Sequence, residues 1–346
     1  MSTRRRVPSG DVDPVAILES AYRAEEGDDD DTVWLTRIVE LARPALDEGL
    51  GAAGFFYDVS NPNDMRVWAP VLLGTPPGAM EALYALNASA PTDLARQLYR
   101  PTAMSATLSE RFGIGRRVLD EPLHRELLAP LGVLDFVSVS ATDPSGAGCL
   151  IGAPLPSLAH VTRRDAALWN RIAAHIAAGS RLRRVRATAR STDIPPAAEA
   201  ILSPSGRIEH AEEVAKSRDA REALQAATRD MDRARGRLRR SDPAEALGIW
   251  TALVSGRWTL VDHFDHDGRR YVVARKNDPD VTPSADILTR RERQVVSYAA
   301  MGQSNKLIAY TLGLSASTVA MHLSNAAAKL GVKSRVALIQ AFRSKQ

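Results

Sequence analysis

Two groups of residues have types and spacings that resemble sites of metal binding or catalysis. The first combines two histidines with three aspartates: Asp262, His263, Asp265, His266 and Asp267. Aligning Gly268 with the glycine of a calcium loop places His263 and Ala274 where that loop requires Asp and Glu. We therefore expect an ordinary β-turn at this position and no bound metal.

The second group pairs a thiol with histidine, as a nucleophile and its base would be paired. Cys149 begins an apolar run, however, and a buried cysteine in such a run is usually an inert packing residue. His175 lies within a long predicted helix, where we expect it to pack. Neither a G-x-S-x-G motif nor a phosphate-binding loop occurs. The sequence therefore predicts a protein that is not an enzyme, without a cofactor, in which Cys149 and His160 form no catalytic pair.

Charge is distributed unevenly along the 346 residues, although the formal net charge is only +4. From Ile287 to Gln346, nine side chains are basic and Glu292 is the sole acid. Such a segment favours a polyanionic partner, unless it is simply a solvated basic tail. The arginine-rich stretches Arg181–Arg190 and Arg229–Arg240 are expected to be solvated helix faces.

Helix boundaries are signalled closely in the basic segment. Thr289 and Glu292 have the spacing of a capping box, in which each side chain binds the other residue's backbone amide. The remaining signals are serine N-caps and glycine stops: Gly302, Ser304, Gly313, Ser315, Gly331 and Ser334. The sequence therefore predicts four short helices in this segment.

The third of these helices has two distinct sides. Its inner face repeats at helical spacing: Val319, Leu323, Ala326 and Leu330. Its outer face is polar or small and contains no acid: Ser317, Thr318, Met321, His322, Ser324, Asn325, Ala328 and Lys329. A smooth helix of this kind fits the DNA major groove, and two short helices joined by a glycine turn form a helix-turn-helix.

The segment resembles the LuxR/GerE-type DNA-binding domain through its motifs LTRRERQVV, GQSNKLIA, LSASTVAMHL and KLGVKSR. The resemblance covers Leu288 to Phe342. It implies a four-helix domain that binds double-stranded DNA, usually as a homodimer formed through the last helix.

Motif position also implies roles for individual residues. Phosphate contacts would come from Ser304, Asn305, Lys306 and Thr318. Base edges would face Ala320, Met321, Ser324 and Asn325, with Lys329 near the backbone. Ser315, Ser317 and His322 complete the predicted DNA-binding set. Dimerisation is expected through Val336, Ile339 and Phe342.

Two positions depart from the family pattern. The family commonly has Lys where this chain has Ala320, and Glu where it has Leu307. Without that lysine, we expect base reading to depend on contact of Met321 with thymine methyls, on Asn325 or on DNA shape.

The rest of the chain is predicted to be α+β with antiparallel sheets. We expect a flexible arm over residues 1–31, a GAF-like domain over 32–190 and a PAS-like domain over 191–276. A linker, 277–286, then leads to the helix-turn-helix domain at 287–346. The two resemblances rest on element order and on the hairpin with Trp258 and Tyr271, so no ligand-binding residue can be transferred.

A polar helix predicted over Ala211–Arg240 contains a short heptad-like seam. The seam consists of Ala220, Leu224, Ala227, Met231, Ala234 and Leu238. Packing against its own domain is favoured, and a dimer seam is the alternative. Asp242 and Pro243 are expected to open the next helix.

These features together predict a cytoplasmic, DNA-binding transcriptional regulator. One cysteine fits a reducing compartment, and neither a secretory signal nor a membrane span is apparent. The upstream domains would sense an unidentified small effector or, alternatively, serve as a protein-interaction scaffold. RNA polymerase is a further candidate partner.

Overall fold

The computed structural model describes residues 5–6, 12–23, 30–61, 65–89, 98–99, 103–190, 198–255, 257–264, 270–276 and 287–344. The chain divides into two compact units. The first comprises residues 1–21 and 25–183, and the second comprises 22–24 and 184–346. Each unit is described separately below.

The first unit is built from helices on an antiparallel sheet. Its elements begin with β1 (Arg5–Arg6), α1 (Pro14–Tyr22), α2 (Asp31–Leu46), β2 (Ala52–Asp58), β3 (Arg66–Leu73) and α3 (Ala79–Ser89). They continue with β4 (Ser105–Thr107), α4 (Leu108–Arg111), β5 (Asp135–Thr142), β6 (Ala147–Leu155), β7 (Ala159–His160) and α5 (Arg163–Arg190). The last residue of α1 and the residues of α5 after Arg183 are assigned to the second unit. Short 3-10 and π-helical turns lie between α4 and β5.

Five described strands of this unit form an antiparallel sheet with the order β3-β2-β6-β5-β4, and β1 pairs separately with β7 in parallel. Helix α2 packs against β2 so closely that a Cβ added to Gly54 would lie 2.7 Å from a methyl group of Val39. On the same side, the Phe56 ring lies 5.6 Å from the Trp34 ring and 5.5 Å from the Trp68 ring. The alternation of side chains along β2 therefore places its even-numbered residues beneath α2.

The prediction that residues 1–31 form a flexible arm is wrong for the part that the structure describes. Residues 14–22 form α1, and the side chains of Val15, Ile17 and Leu18 are completely buried. Asp13 accepts a hydrogen bond from the Ala16 amide at 3.1 Å and so caps the helix. The low apolar content of the whole segment concealed these buried residues.

The second unit begins with a smaller α+β module, which we call the middle module (residues 198–276). It contains β8 (Ala198–Leu202), β9 (Ile208–Ala211), α6 (Arg218–Arg235), α7 (Leu238–Ser241), α8 (Pro243–Ile249), β10 (Leu253–Val254), β11 (Trp258–Phe264) and β12 (Arg270–Lys276). Its described strands have the order β10-β11-β12-β8-β9 and are antiparallel. When the five strands of each sheet are numbered in chain order and this sheet is read from β9 to β10, its order is 2-1-5-4-3. The five-stranded sheet of the first unit, read from β3 to β4, has the same order.

The heptad-like seam of α6 is buried inside the second unit. Leu224, Met231 and Ala234 are at most 1% exposed. The helix begins at Arg218 and ends before Gly236, so it is shorter than the predicted Ala211–Arg240. Since the apolar residues already pack within one chain, the structure favours the intramolecular interpretation over a dimer seam.

Other predicted boundaries are confirmed. Asp242 accepts a hydrogen bond from the Glu245 amide at 2.9 Å, and Pro243 occupies the first turn of α8. Several predictions lie outside the described residues: the linker 277–286, most of the linker 191–198, and the turn that contains Asp265, His266 and Asp267.

Within the described parts of the chain, no single helix is long and apolar enough to span a membrane. The helices Asn305–Leu312 and Ala316–Lys329 reach the length and apolar composition of a membrane span only when they are taken together, and a bend of 108° separates them.

Candidate nucleic-acid interface

Residues 287–344 contain the helices α9 (Arg290–Ala300), α10 (Asn305–Leu312), α11 (Ala316–Lys329) and α12 (Arg335–Arg343). Thr289 and Glu292 form the predicted capping box at the start of α9. The side chains of Ser304, Ser315 and Ser334 each accept a backbone N–H in the first turn of the following helix. The structure therefore confirms the four predicted helix starts.

Helix α11 packs with its predicted inner face on the core of this domain. Val319 and Ala326 are completely buried, and Leu323 is 8% exposed. Val296, Ile308 and Leu338 from the other three helices belong to the same apolar cluster. The helix has 14 residues, which corresponds to about 21 Å of length.

The opposite face of α11 and the start of α10 are open to solvent. Nine of the predicted DNA-binding residues are exposed: Ser304, Lys306, Ser315, Ser317, Ala320, Met321, Ser324, Asn325 and Lys329. The remaining three, Asn305, Thr318 and His322, are half-buried. Met321 is a large apolar side chain that is 51% exposed to solvent on an otherwise polar face. The predicted set therefore forms an accessible surface.

Hydroxyl groups cluster at the N-terminus of α11. The Ser315 Oγ accepts a hydrogen bond from the Thr318 amide at 3.0 Å and lies 2.7 Å from both Ser317 Oγ and Thr318 Oγ1. Because the first amides of a helix lack intrahelical acceptors and carry partial positive charge, this end favours an anion such as phosphate.

Asn305 is oriented by a residue that sequence reasoning did not single out. Arg335, at the start of α12, donates to the Asn305 Oδ1 and to the Gln303 carbonyl, each at 2.5 Å. With its oxygen engaged, the Asn305 amide presents an N–H donor at the predicted phosphate contact. No local spacing links these two residues, so only the fold could show the contact.

Lys329 is engaged within the domain. Its Nζ donates to the Glu292 carboxylate at 2.8 Å, and the Glu292 side chain is only 5% exposed. Glu292 also accepts the Thr289 amide at 2.7 Å. Burial by itself would raise the pKa of Glu292, but the hydrogen bonds from Lys329 and Thr289 outweigh it and hold the pKa below its ordinary value. The ion pair joins the end of α11 to the start of α9.

His322 is half-buried on α11. Burial, together with the nearby Arg291 guanidinium, lowers the pKa of His322 below its ordinary value. The lowered pKa favours the neutral imidazole of His322 in the free protein.

The residues predicted for dimerisation divide into two kinds. Val336 is 65% exposed, and Ile339 is half-buried. Phe342 is only 7% exposed and belongs to the core of the domain. Phe342 already packs inside its own chain, so it is not available to a dimer seam, contrary to the prediction.

Three described residues were considered for catalysis or metal binding in the sequence, namely Cys149, His175 and Asp262, and each has a packing or ion-pair environment in the structure. Cys149 is completely buried in β6. His175 is buried in α5, and its burial, with a smaller effect from Arg171, lowers its pKa to about 3. Asp262 forms an ion pair with Arg235. Among the described residues, no group of three or more His, Cys, Asp or Glu side chains is placed to hold a metal ion.

A comparison with protein families places the same segment among known regulators. Residues 286–342 match the family described as bacterial regulatory proteins, luxR family. The match includes the first three helices of the candidate interface and the fourth up to Phe342.

Individual relatives match the same region. The spore germination protein GerE of Bacillus subtilis is 46% identical over 52 residues, which are 15% of this chain and 70% of GerE. The transcriptional regulatory protein MctR of Rhizobium johnstonii is 40% identical over 60 residues, 17% of this chain and 28% of MctR. The transcriptional activator protein ExpR of Dickeya dadantii is 35% identical over 60 residues, 17% of this chain and 24% of ExpR. The chain thus spans about a quarter of the length of the last two.

Proposed function

Because this chain belongs to the luxR family of bacterial regulatory proteins, we propose that it is a transcriptional regulator that binds duplex DNA with α10 and α11. Helix α11 enters the major groove, and the exposed N-termini of α10 and α11 meet the phosphates on either side. The protein acts in the cytoplasm as a homodimer on DNA, and it is a binding protein rather than an enzyme.

One observation carries the proposal. The outer face of α11 is exposed, contains no acidic residue, and leads directly from a capped N-terminus with a cluster of hydroxyl groups. A phosphate backbone would repel an acidic face, whereas a face of small and polar side chains fits a groove roughly 12 Å wide. Exposed Lys306 adds charge at the neighbouring helix start.

Base selection is expected to depend strongly on Met321. Its thioether side chain stands at the centre of the exposed face, where an apolar group can contact the methyl of thymine. Ala320, its neighbour, offers only a methyl group, and the exposed Asn325 supplies the hydrogen-bonding amide on this face.

The proposal is tested by selecting bound sequences from a random duplex library with the full chain, beside the Met321→Ala variant. The wild type should enrich one motif, and Met321→Ala should change the preferred bases more than the overall affinity. A matched variant, Val336→Ala, removes an exposed apolar side chain from α12 and should return the wild-type motif on single half-sites. Failure of the wild type to enrich any sequence at low salt would contradict the proposal.

For the upstream modules, we propose GAF-like and PAS-like sensor domains that modulate DNA binding. Support comes from the strand order that the two sheets share, as expected of two modules of one architectural type. The alternative is a scaffold for protein partners, RNA polymerase among them. Native mass spectrometry of the purified chain distinguishes the two, since a sensor should retain a small molecule and a scaffold should not.

A further inference from the structure

The middle module contacts the helix-turn-helix domain inside the second unit. Leu253, from β10, is 4% exposed and belongs to the same buried apolar cluster as Ile308 and Leu312 of α10. The core of the DNA-binding domain therefore includes one side chain from outside residues 287–344.

The two backbones approach each other at Gly313, in the turn between α10 and α11. A Cβ added to Gly313 would lie 2.0 Å from the Leu253 carbonyl oxygen and 3.2 Å from the Ser255 nitrogen. Gly313 also has φ +60°, which favours glycine or asparagine. Two independent requirements, conformation and space, thus apply at this position.

Polar contacts hold the two sides of this junction together. The Arg291 Nη2 donates to the Ser255 carbonyl at 2.6 Å. The Tyr310 hydroxyl donates at 2.8 Å to the Leu247 carbonyl, one of the last carbonyls of α8, which lack intrahelical partners. Three parts of the helix-turn-helix domain, α9, α10 and the turn, therefore contact the middle module.

Ser255 has φ +51°, an uncommon conformation for a residue with a side chain. Strain of this kind persists only where the surroundings hold it in place. Here it aims the Ser255 carbonyl at Arg291 while the Leu253 carbonyl approaches Gly313.

We infer that the segment Leu253–Ser255, which comprises β10 and the residue after it, is a docking surface for the helix-turn-helix domain and that it holds the start of α11 in its DNA-binding arrangement. The docked domain still exposes Lys306, Ser317, Met321 and Asn325, so docking does not cover the predicted DNA face. If the turn between α10 and α11 is already ordered before DNA binds, the conformational entropy that is lost on binding is smaller. The middle module thereby contributes to DNA affinity without touching DNA.

The docking itself is tested by the distance between spin labels in the full chain. The labels are attached to cysteines introduced at the exposed positions Arg229 and Gln340, while buried Cys149 stays unlabelled. Gly313→Asn keeps a residue that tolerates positive φ but fills the space that the Leu253 carbonyl occupies. The matched control is Gly331→Asn, where φ is +67° and nothing lies within 4 Å of an added Cβ.

A second pair of variants places the change in the middle module, in case Gly313→Asn fails to fold. Leu253→Ala removes the docked side chain, and Val254→Ala shortens its equally buried neighbour in β10, which is not part of the helix-turn-helix cluster. The wild type, Gly331→Asn and Val254→Ala should give one narrow distance distribution. Gly313→Asn and Leu253→Ala should broaden it.

The second measurement is affinity for the selected duplex, and this part rests on the proposed function. Both docking variants should lose at least about fivefold in affinity, and both controls should stay within about twofold of the wild type. A distribution that stays narrow in both docking variants would overturn the docking, and unchanged affinity would overturn its role in DNA binding. If the wild type binds no duplex, the proposed function fails, while the label distances still decide the docking.

Discussion

Several side chains of the candidate interface are held by partners inside the protein, and this changes their expected roles. Lys329 is paired with Glu292, so we expect its charge to stabilise the domain more than it attracts phosphate. Asn305 is held by Arg335 and presents its amide outward. Lys306 is exposed at the start of α10 and is the strongest candidate for a phosphate contact.

Lys306→Ala should therefore weaken binding to every duplex sequence and reduce the slope of log affinity against log salt by about 0.9, the value for one phosphate contact. Gel-shift titrations over a salt series measure the slope. Lys333→Ala removes an equal charge from an exposed residue outside the predicted set and should leave the slope nearly unchanged. An unchanged slope for Lys306→Ala would exclude its phosphate contact.

Glu292→Gln tests the ion pair through stability. Because the folded-state pKa of Glu292 is lowered, its contribution is complete above the unfolded pKa of about 4.3 and is lost as the pH falls through the lower folded value. We expect Glu292→Gln to reduce unfolding free energy by about 1–3 kcal/mol at pH 7 and by less in acid.

Denaturant unfolding at pH 7 and at pH 3 to 4 measures this difference. The control, Glu245→Gln, alters an exposed glutamate in the first turn of α8 and should have a small effect at both pH values. An equal loss at all pH values would show that the charge of Glu292 is not what stabilises the domain.

At the scale of elements, helix α1 packs into the first unit, although the polar composition of residues 1–31 had predicted a flexible arm. α1 lies against α5 so closely that a Cβ added to Gly179 would be 2.4 Å from the Ala21 carbonyl oxygen. The φ angle of Gly179 is not positive, so its backbone conformation does not require glycine. The close approach of the α1 backbone is what excludes a side chain at this position.

Gly179→Ala should therefore destabilise the first unit by about 1–3 kcal/mol through overpacking. Elsewhere in a helix, the same substitution stabilises by about 0.5–1 kcal/mol. The exposed Gly248 of α8 supplies that comparison, and Gly248→Ala should raise the unfolding free energy. Calorimetry of both variants measures the opposite signs, and a stabilising Gly179→Ala would mean that α1 does not pack as described.

At the scale of the whole molecule, a single helix-turn-helix makes few base contacts, so specificity is expected to require two copies on related half-sites. Of the three residues predicted for dimerisation, exposed Val336 and half-buried Ile339 remain available, since Phe342 lies in the core. The isolated seam is small, which favours dimerisation on DNA over a stable dimer in solution.

Val336→Glu should accordingly prevent the second copy from binding a duplex with two half-sites, while binding to one half-site changes little. Two negative charges facing each other across a two-fold seam would repel. Band stoichiometry in gel shifts shows the outcome. Val214→Glu, at an exposed valine of the middle module, is the matched control and should retain two copies.

Much of the candidate interface was predictable because its signals are local. An N-cap or a capping box involves residues within four positions of each other, and the inner face of α11 follows from helical periodicity alone. The N-cap of α8 at Asp242 was predictable for the same reason, because Asp242 and Glu245 are only three residues apart. Composition averaged over a longer segment failed for residues 1–31, because the five buried hydrophobic residues of α1 lie within a mostly polar stretch.

The sequence by itself determined the four helix starts, the buried inner face of α11 and the acid-free outer face of that helix. Only the tertiary structure decided that Glu292 holds Lys329, that Arg335 orients Asn305 and that the Leu253 carbonyl lies against Gly313. The physical reason is that caps and periodicity act along the backbone within a few residues. The choice of partner for a long side chain depends on which distant surfaces packing brings together.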